Sequence, residues 1–192
     1  MTVRTSHQAE NELLARKMLK AGFTTRTVVI ETGLPDKRIR TINKLFDEAT
    51  LARIKLNRKS HSTRTHATLL QNKRLRMHLS AGIRFYLRLL SDDLDTAMRM
   101  TKRRRDIDCL MKAYSAYRSC IKDIDGQSPE LATSSNIVKI DINDFWSIVR
   151  DMSEEIVTMK KCSDCGCSHL VSERHIQTDC PFCSNTRETD AA

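Results

Sequence analysis

The sequence predicts a mainly α-helical protein: an N-terminal helix-turn-helix, a helical body, and a C-terminal zinc-ribbon-like module built on four cysteines. Three observations carry this. Gly (5) and Pro (3) are scarce in 192 residues, which argues against a loop-rich or disordered chain. Straight-chain helix formers dominate the first 125 residues. Two Cys-x-x-Cys pairs stand close together near the C-terminus.

The elements are expected as follows. A first helix runs from about Ser6 to Ala21 with Leu13, Leu14 and Met18 inward, and Gly22 ends it. A second runs from about Thr25 to Thr32, with Thr24 or Thr25 as N-cap. Gly33-Leu34 makes a turn. A third helix starts near Pro35-Asp36, where proline and an acidic residue suit a first turn, and ends near Glu48. Residues 49–66 (with the run RKSHSTRTH) read as a basic linker or a DNA-touching arm. A long helix follows over 67–90, with Leu69, Leu70, Leu79, Ile83, Tyr86, Leu87 and Leu90 apolar. Another spans Asp106 to Lys122 with Leu110, Tyr114 and Tyr117 on one side. Asp125 to Asn136 reads as a loop. A last helix is expected over Asp141–Thr158, because Ile142, Phe145, Val149, Met152 and Ile156 recur at helical spacing. Its apolar stripe, flanked by Trp146 and Val157, is either a partner surface or part of the chain's own core. The division that results is 1–48 for the helix-turn-helix, 49–158 for the helical body with its basic linker, and 159–192 for the cysteine module and tail.

Charge is distributed unevenly. Residues 1–125 carry 27 Lys+Arg against 13 Asp+Glu (net +14), and residues 126–192 carry 6 against 11 (net −5). A strongly basic first part fits a polyanionic partner, of which DNA is the commonest, although a solvated basic surface or an acidic membrane contact has the same charge. No apolar run is long enough to span a bilayer, and Met1 to Glu10 lacks the apolar core of a signal peptide. The expectation is a cytoplasmic protein. Seven cysteines in a reducing compartment then point to metal or buried thiols rather than disulfides.

Cys162-Ser-Asp-Cys165, fourteen residues and Cys180-Pro-Phe-Cys183 make the sharpest local pattern. Two such pairs across one short loop can set four thiolates tetrahedrally round one Zn²⁺. Gly166 directly after Cys165 eases the tight turn this needs. The segment has so little apolar content that metal binding is expected to supply its folding energy, on the order of 10 kcal/mol in small zinc modules. A redox Cys-x-x-Cys would want a βαβ setting, which the pattern lacks, and an iron–sulfur cluster is the remaining rival. Cys167, His169 and His175 are nearby donors read as non-ligands. Cys109 and Cys120 read as small buried thiols. Four cysteine ligands close a metal's coordination sphere, so no catalytic role is expected.

In the segment TRTVVIETGLPDKRIRTINKLF, Ile39, Ile42, Leu45 and Phe46 share one face of the third helix. Lys37, Arg40, Thr41 and Lys44 occupy the opposite face within roughly 100° of arc. A recognition helix needs that division, one side packing and the other meeting the major groove. Arg40 suits a bidentate bond to guanine, Lys37 and Lys44 suit phosphates, and Arg38 lies at the border, towards the DNA backbone. An ordinary three-helix unit with a solvated basic face has the same pattern. The run Lys102-Arg103-Arg104-Arg105 is a weaker phosphate-clamp candidate. Tyr86, Tyr114 and Tyr117 read as core aromatics.

Taken in order, AENELLARKMLKAG, the TGLP turn into a basic helix, KAYSAY, the helix bearing Trp146, and then CSDC and CPFC resemble the FlhC-type transcriptional activator family, over roughly residues 8–185. This is the C subunit of the flagellar master activator, with divergent relatives on conjugative plasmids and integrative elements. The resemblance implies a zinc-containing, DNA-binding subunit with Cys162, Cys165, Cys180 and Cys183 as ligands. It also implies a hetero-oligomer with a smaller D-type subunit that recruits RNA polymerase to promoter DNA. Residues 50–66 lack the Pro- and Trp-containing stretch of the flagellar members, and Cys167 is extra, so flagellar and conjugative-transfer genes both stay open as targets. Two other functions remain in play. A nuclease or recombinase with a zinc-ribbon substrate module needs a carboxylate cluster, and Asp92, Asp93 and Asp95 look instead like a helix N-terminus after Ser91. A polymerase-binding adaptor would never touch bases.

Overall fold

A computed structural model describes residues 2–57, 63–127, 140–173 and 179–183. Among them the chain is mainly helical, with one antiparallel strand pair. In chain order the elements are α1 (Thr2–Ala21), α2 (Thr25–Thr32), α3 (Asp36–Lys44), α4 (Glu48–Asn57), α5 (His66–Gln71), α6 (Lys73–Leu90), α7 (Leu94–Arg103), α8 (Ile107–Gln127), α9 (Ile142–Ser153), β1 (Val157–Lys161) and β2 (Ser168–Ser172). No helix among the described residues is long and apolar enough to cross a membrane.

The chain gathers into two units, residues 1–63 with Asp141–Asn143, and residues 64–140 with 144–192. Neither limit falls at residue 48 or 158. The cysteine segment belongs to the second unit and does not stand apart.

In the first unit, α1 packs on α2, α3 and α4, and α2 packs on α3. Ala15, Met18, Leu19, Phe23, Val28, Leu34, Ile39, Ile42 and Ile54 form its core. The buried face of α1 is rotated from the expected one: Leu13 is 58% exposed, and Ala15 and Leu19 take the inward positions beside Met18. Thr24 is the N-cap of α2, its hydroxyl accepting from the Thr27 N–H at 3.2 Å. Gly33 ends α2 in the left-handed conformation (φ 66°), its N–H bonded to the Val29 carbonyl at 2.9 Å. Asn143 clips the preceding turn: its Oδ1 accepts from the Thr24 N–H at 2.9 Å and its Nδ2 donates to the Gly22 carbonyl at 3.2 Å. α3 stops at Lys44 because the next two N–H groups turn back to Ile42 and Asn43, three residues behind. Asp47 then caps a new helix, accepting from the Thr50 N–H at 2.6 Å, with Glu48 in its first turn. The stretch expected to be a linker therefore contains α4. Residues 58–62 of the basic run lie outside the described residues.

In the second unit α6 is the hub, packing on α5, α7, α8 and β2. The expected 67–90 helix is two helices. Asn72 leaves helical geometry (ψ 117°) and its Oδ1 caps α6 at the Leu75 N–H, 3.0 Å away. The inward Leu79, Ile83, Tyr86 and Leu87 follow the sequence pattern. Asp93 caps α7, accepting from the Thr96 N–H at 2.8 Å. α8 runs through Asp125–Gln127, where a loop is expected, and the rest of that loop (128–136) lies outside the described residues.

α9 is shorter than the expected 141–158 helix. Glu155 adopts a left-handed conformation (φ 59°), and the Ile156 N–H reaches back to the Asp151 carbonyl at 2.9 Å, a Schellman-type stop. Val157 then begins a strand, pairing in the register Val157↔Ser172 to Lys161↔Ser168. α9 is also not amphipathic in its setting: every residue from Ile140 to Val149 is buried, Trp146 at 2% exposure and Val157 at 1%, so the stripe belongs to the chain's own core. Its polar positions meet Arg64, just before α5, and His66, the first residue of α5. Arg64 forks onto Asp144 at 2.9 and 2.6 Å, the Ser147 hydroxyl donates to the Arg64 carbonyl at 2.9 Å, and Asp151 meets His66 Nδ1 at 2.7 Å and Arg150. Arg64 is thus a counterion to Asp144 within the second unit.

Gly82 of α6 faces the Phe145 ring so closely that an added Cβ would lie 2.1 Å from Phe145 Cζ. Phe145 is fully buried and packs edge-on to Tyr114, with Tyr117 tilted against it, so the ring has little room to yield. Gly82→Ala should lower stability by about 1–3 kcal/mol through overpacking, despite alanine's better helix propensity, and thermal unfolding followed by circular dichroism measures it.

Candidate functional site

The four cysteines singled out by spacing converge. Cys162 and Cys165 sit in the turn between β1 and β2, and Cys180 and Cys183 follow β2. Cys162 Sγ lies 3.6 Å from Cys183 Sγ, Cys165 Sγ lies 3.6 Å from Cys180 Sγ, and all four sulfurs fall within 4.8 Å of one another. A tetrahedron of sulfurs about 2.3 Å from a central ion has edges of about 3.8 Å. The residues therefore fit one tetrathiolate-bound metal ion.

The local backbone builds the first half of this group. β1 delivers Cys162, whose N–H donates to the Cys167 carbonyl at 2.9 Å, while the Gly166 N–H returns to the Cys162 carbonyl at 3.0 Å. Gly166 is left-handed (φ 71°), the conformation the turn demands and glycine supplies cheaply. The hairpin does not fold on metal alone: Val157, Met159, Leu170 and Val171 are buried, and β2 packs on α5 and α6. Cys167 contributes its carbonyl and not its thiol, and it is exposed. His169 is on β2, outside the sulfur group and 4% exposed, and neither ring nitrogen has a hydrogen-bond partner among the described residues. His175 lies outside the described residues. Cys109 is half-buried and Cys120 exposed, so neither is the buried thiol expected.

The thiols are electrostatically unequal. Backbone N–H groups of Cys165 and Asp164 favour the Cys162 thiolate and bring its pKa down to about 7. Hydrogen bonding to Cys165 and Cys162 pushes the Cys183 thiol up, and burial pushes Cys180 up. Four sulfurs this close cannot all ionise without a cation between them.

The second group of predicted site residues lies on α3. Lys37, Arg38, Arg40, Thr41 and Lys44 are all exposed, whereas Ile39 (0%) and Ile42 (1%) are buried. Leu45, expected on the inward face, is 64% exposed, because the helix has ended at Lys44. The five polar residues are not equivalent. Arg38 forks onto Glu12 of α1 at 2.9 and 2.8 Å and draws the Glu12 pKa down. Arg40 makes an exposed i,i+4 pair with Asp36 at 2.6 Å, and Thr41 donates to the Lys37 carbonyl at 3.0 Å. Of the run 102–105, Lys102 pairs with Glu155 at 2.6 Å and Arg105 donates to Ser153 at 3.1 Å. Within the acidic triplet, Asp93 caps α7 and Asp92 pairs with Arg88.

Pattern reasoning missed the residues of α6 that contact the cysteine segment, Lys73, Arg76 and Arg84. Their i, i+3, i+11 spacing marks a common helix face, but a basic stripe reads as solvent-facing. No protein-family model matches this chain, and no curated protein matches it in sequence.

Because Cys180 and Cys183 hold their protons above the ordinary thiol range, a metal ion entering at neutral pH must displace at least those two. Affinity should therefore fall as pH falls, by about 100-fold per unit for two protons displaced, and chelator competition at two pH values measures it. Cys162→Ser should abolish stoichiometric binding, as elemental analysis of the purified protein would show.

Proposed function

We propose that the chain is a DNA-binding subunit of a transcription regulator, stiffened by a structural metal centre. In particular it is an activator subunit of the FlhC type, acting with a D-type partner at promoter DNA to recruit RNA polymerase. The observation that carries the reading is the division of α3: Ile39 and Ile42 are buried, while Lys37, Arg40, Thr41 and Lys44 project from the exposed side. With α2 and the Gly33 turn before it, α3 serves as the recognition helix of a helix-turn-helix. The order of motifs, ending in the converging cysteines, supports the narrower assignment. The partner, the polymerase and the choice between flagellar and conjugative-transfer genes rest on that resemblance.

Each residue of α3 then has a role. Arg38, forked onto Glu12, ties α3 to α1 and fixes the helix's rotation. Lys37 and Lys44 contact phosphates, and Arg40 and Thr41 meet base edges. The Arg40–Asp36 pair is solvent-exposed and worth at most about 1 kcal/mol, so guanine can displace it. The ion is zinc, whose d¹⁰ shell accepts four thiolates without redox chemistry, and its role is structural because no coordination position stays open.

Arg40→Ala should weaken binding to the cognate site by about 1–3 kcal/mol and relax preference at one base pair. Lys37→Ala should weaken binding on all sequences alike and reduce the salt slope by about one. Footprinting and salt titration of the full chain with its partner subunit read both. An unchanged site preference in Arg40→Ala removes α3 from the recognition role.

A further inference from the structure

One face of α6 is devoted to the cysteine segment. Lys73, Arg76, Ser80 and Arg84 lie within roughly 80° of arc on the helix, and all four bond to the hairpin or to residues 179–183, which carry the second cysteine pair. Lys73 Nζ donates to the Cys183 carbonyl at 3.3 Å, and an Arg76 guanidinium nitrogen donates to the Asp179 carbonyl at 2.7 Å. The Ser80 hydroxyl accepts from the Leu170 N–H at 3.0 Å, and Arg84 donates to the Ser168 hydroxyl at 2.7 Å. Arg76 is the unusual member, a guanidinium residue only 5% exposed. Arginine is seldom buried without a countercharge, since desolvating it is costly. Asp179 is among the charges that favour the guanidinium, and Cys180 becomes another once its thiol ionises. A divalent ion held by four thiolates carries a net charge of −2, which supplies a larger countercharge at the same place.

We propose that Arg76, assisted by Lys73, is the positioning residue of the metal centre. Arg76 holds the backbone just before the second cysteine pair and Lys73 the carbonyl of its last residue, and the buried charge of Arg76 offsets the negative charge of the loaded tetrathiolate. Metal occupancy is thereby coupled to α6, the hub of the second unit. Neither side chain ligates the ion; each acts through a main-chain carbonyl and through charge. The inference rests on the reading of the four cysteines as a metal site.

The test uses the full chain, titrated with Co²⁺ as spectroscopic probe and with Zn²⁺ against a chromophoric chelator. Arg76→Met should lower affinity about 10- to 100-fold, the range found when outer-shell partners of a metal are removed. The tetrahedral thiolate–cobalt spectrum should be unchanged at saturation, because all four ligands remain. Arg76→Lys should recover a substantial part of the loss. A residue that only filled space would be replaced equally well by Met and Lys, so their separation distinguishes charge from packing. Lys73→Glu, at an exposed position that does not endanger folding, should weaken binding severalfold, by an amount that shrinks as salt is raised. Affinities within twofold of the parent for Lys73→Glu and Arg76→Met, or equal losses in Arg76→Met and Arg76→Lys, overturn the proposal. A parent chain that binds neither ion overturns the metal reading itself, a separate and recognisable result.

Discussion

The second unit depends on the seating of the Phe145 ring against Gly82. α9 can approach α6 this closely only where α6 has no side chain, and Tyr114 and Tyr117 of α8 complete the ring's surroundings. The face of α6 that holds the cysteine segment lies about 160° round the helix from Gly82. One helix is thus clamped between an aromatic contact on one side and a polar contact set on the other. Gly82 on one face and Ser80 and Arg76 on the other thus belong to one continuous helix, with no loop between them.

Much of this was legible in the sequence and some was not, for identifiable reasons. Thr24, Gly33 and Pro35 mark the limits of α2 and the start of α3 because caps and turns depend on a few residues in fixed positions. The cysteine quartet is legible for the same reason: metal geometry constrains spacing directly. The boundaries that escaped depend on signals shared with other states. Asn72 and Asp47 act as N-caps inside stretches that read as continuous helix. The end of α9 carries no glycine, since Glu155 takes the left-handed position itself, so the pattern runs on smoothly into β1. Leu13 and Leu45 satisfy a helical period yet face outward, because periodicity identifies a stripe without saying where a helix stops or how it is rotated.

The polar residues of α9 make the same point about charge. Asp144, Ser147 and Asp151 fall at i, i+3 and i+7, which reads as the wet side of an amphipathic helix. In the folded chain they are buried against Arg64 and His66, which in sequence look like part of a basic linker. Two polar segments some eighty residues apart satisfy each other, and no local pattern can reveal such complementarity. The basic balance of the first 125 residues is accordingly an upper bound on the cations available to a polyanion. Arg38, Arg64 and Arg76 are engaged within the protein, and Lys37, Arg40 and Lys44 remain at the surface.

The chain between the two cysteine pairs has both ends anchored, by the β1–β2 turn at Cys165 and by the Arg76 and Lys73 bonds around Cys180 and Cys183. The four sulfurs meet only while each pair keeps its two-residue spacing, so one residue added inside either Cys-x-x-Cys pair would displace a sulfur. Among related chains, length should stay constant inside the pairs.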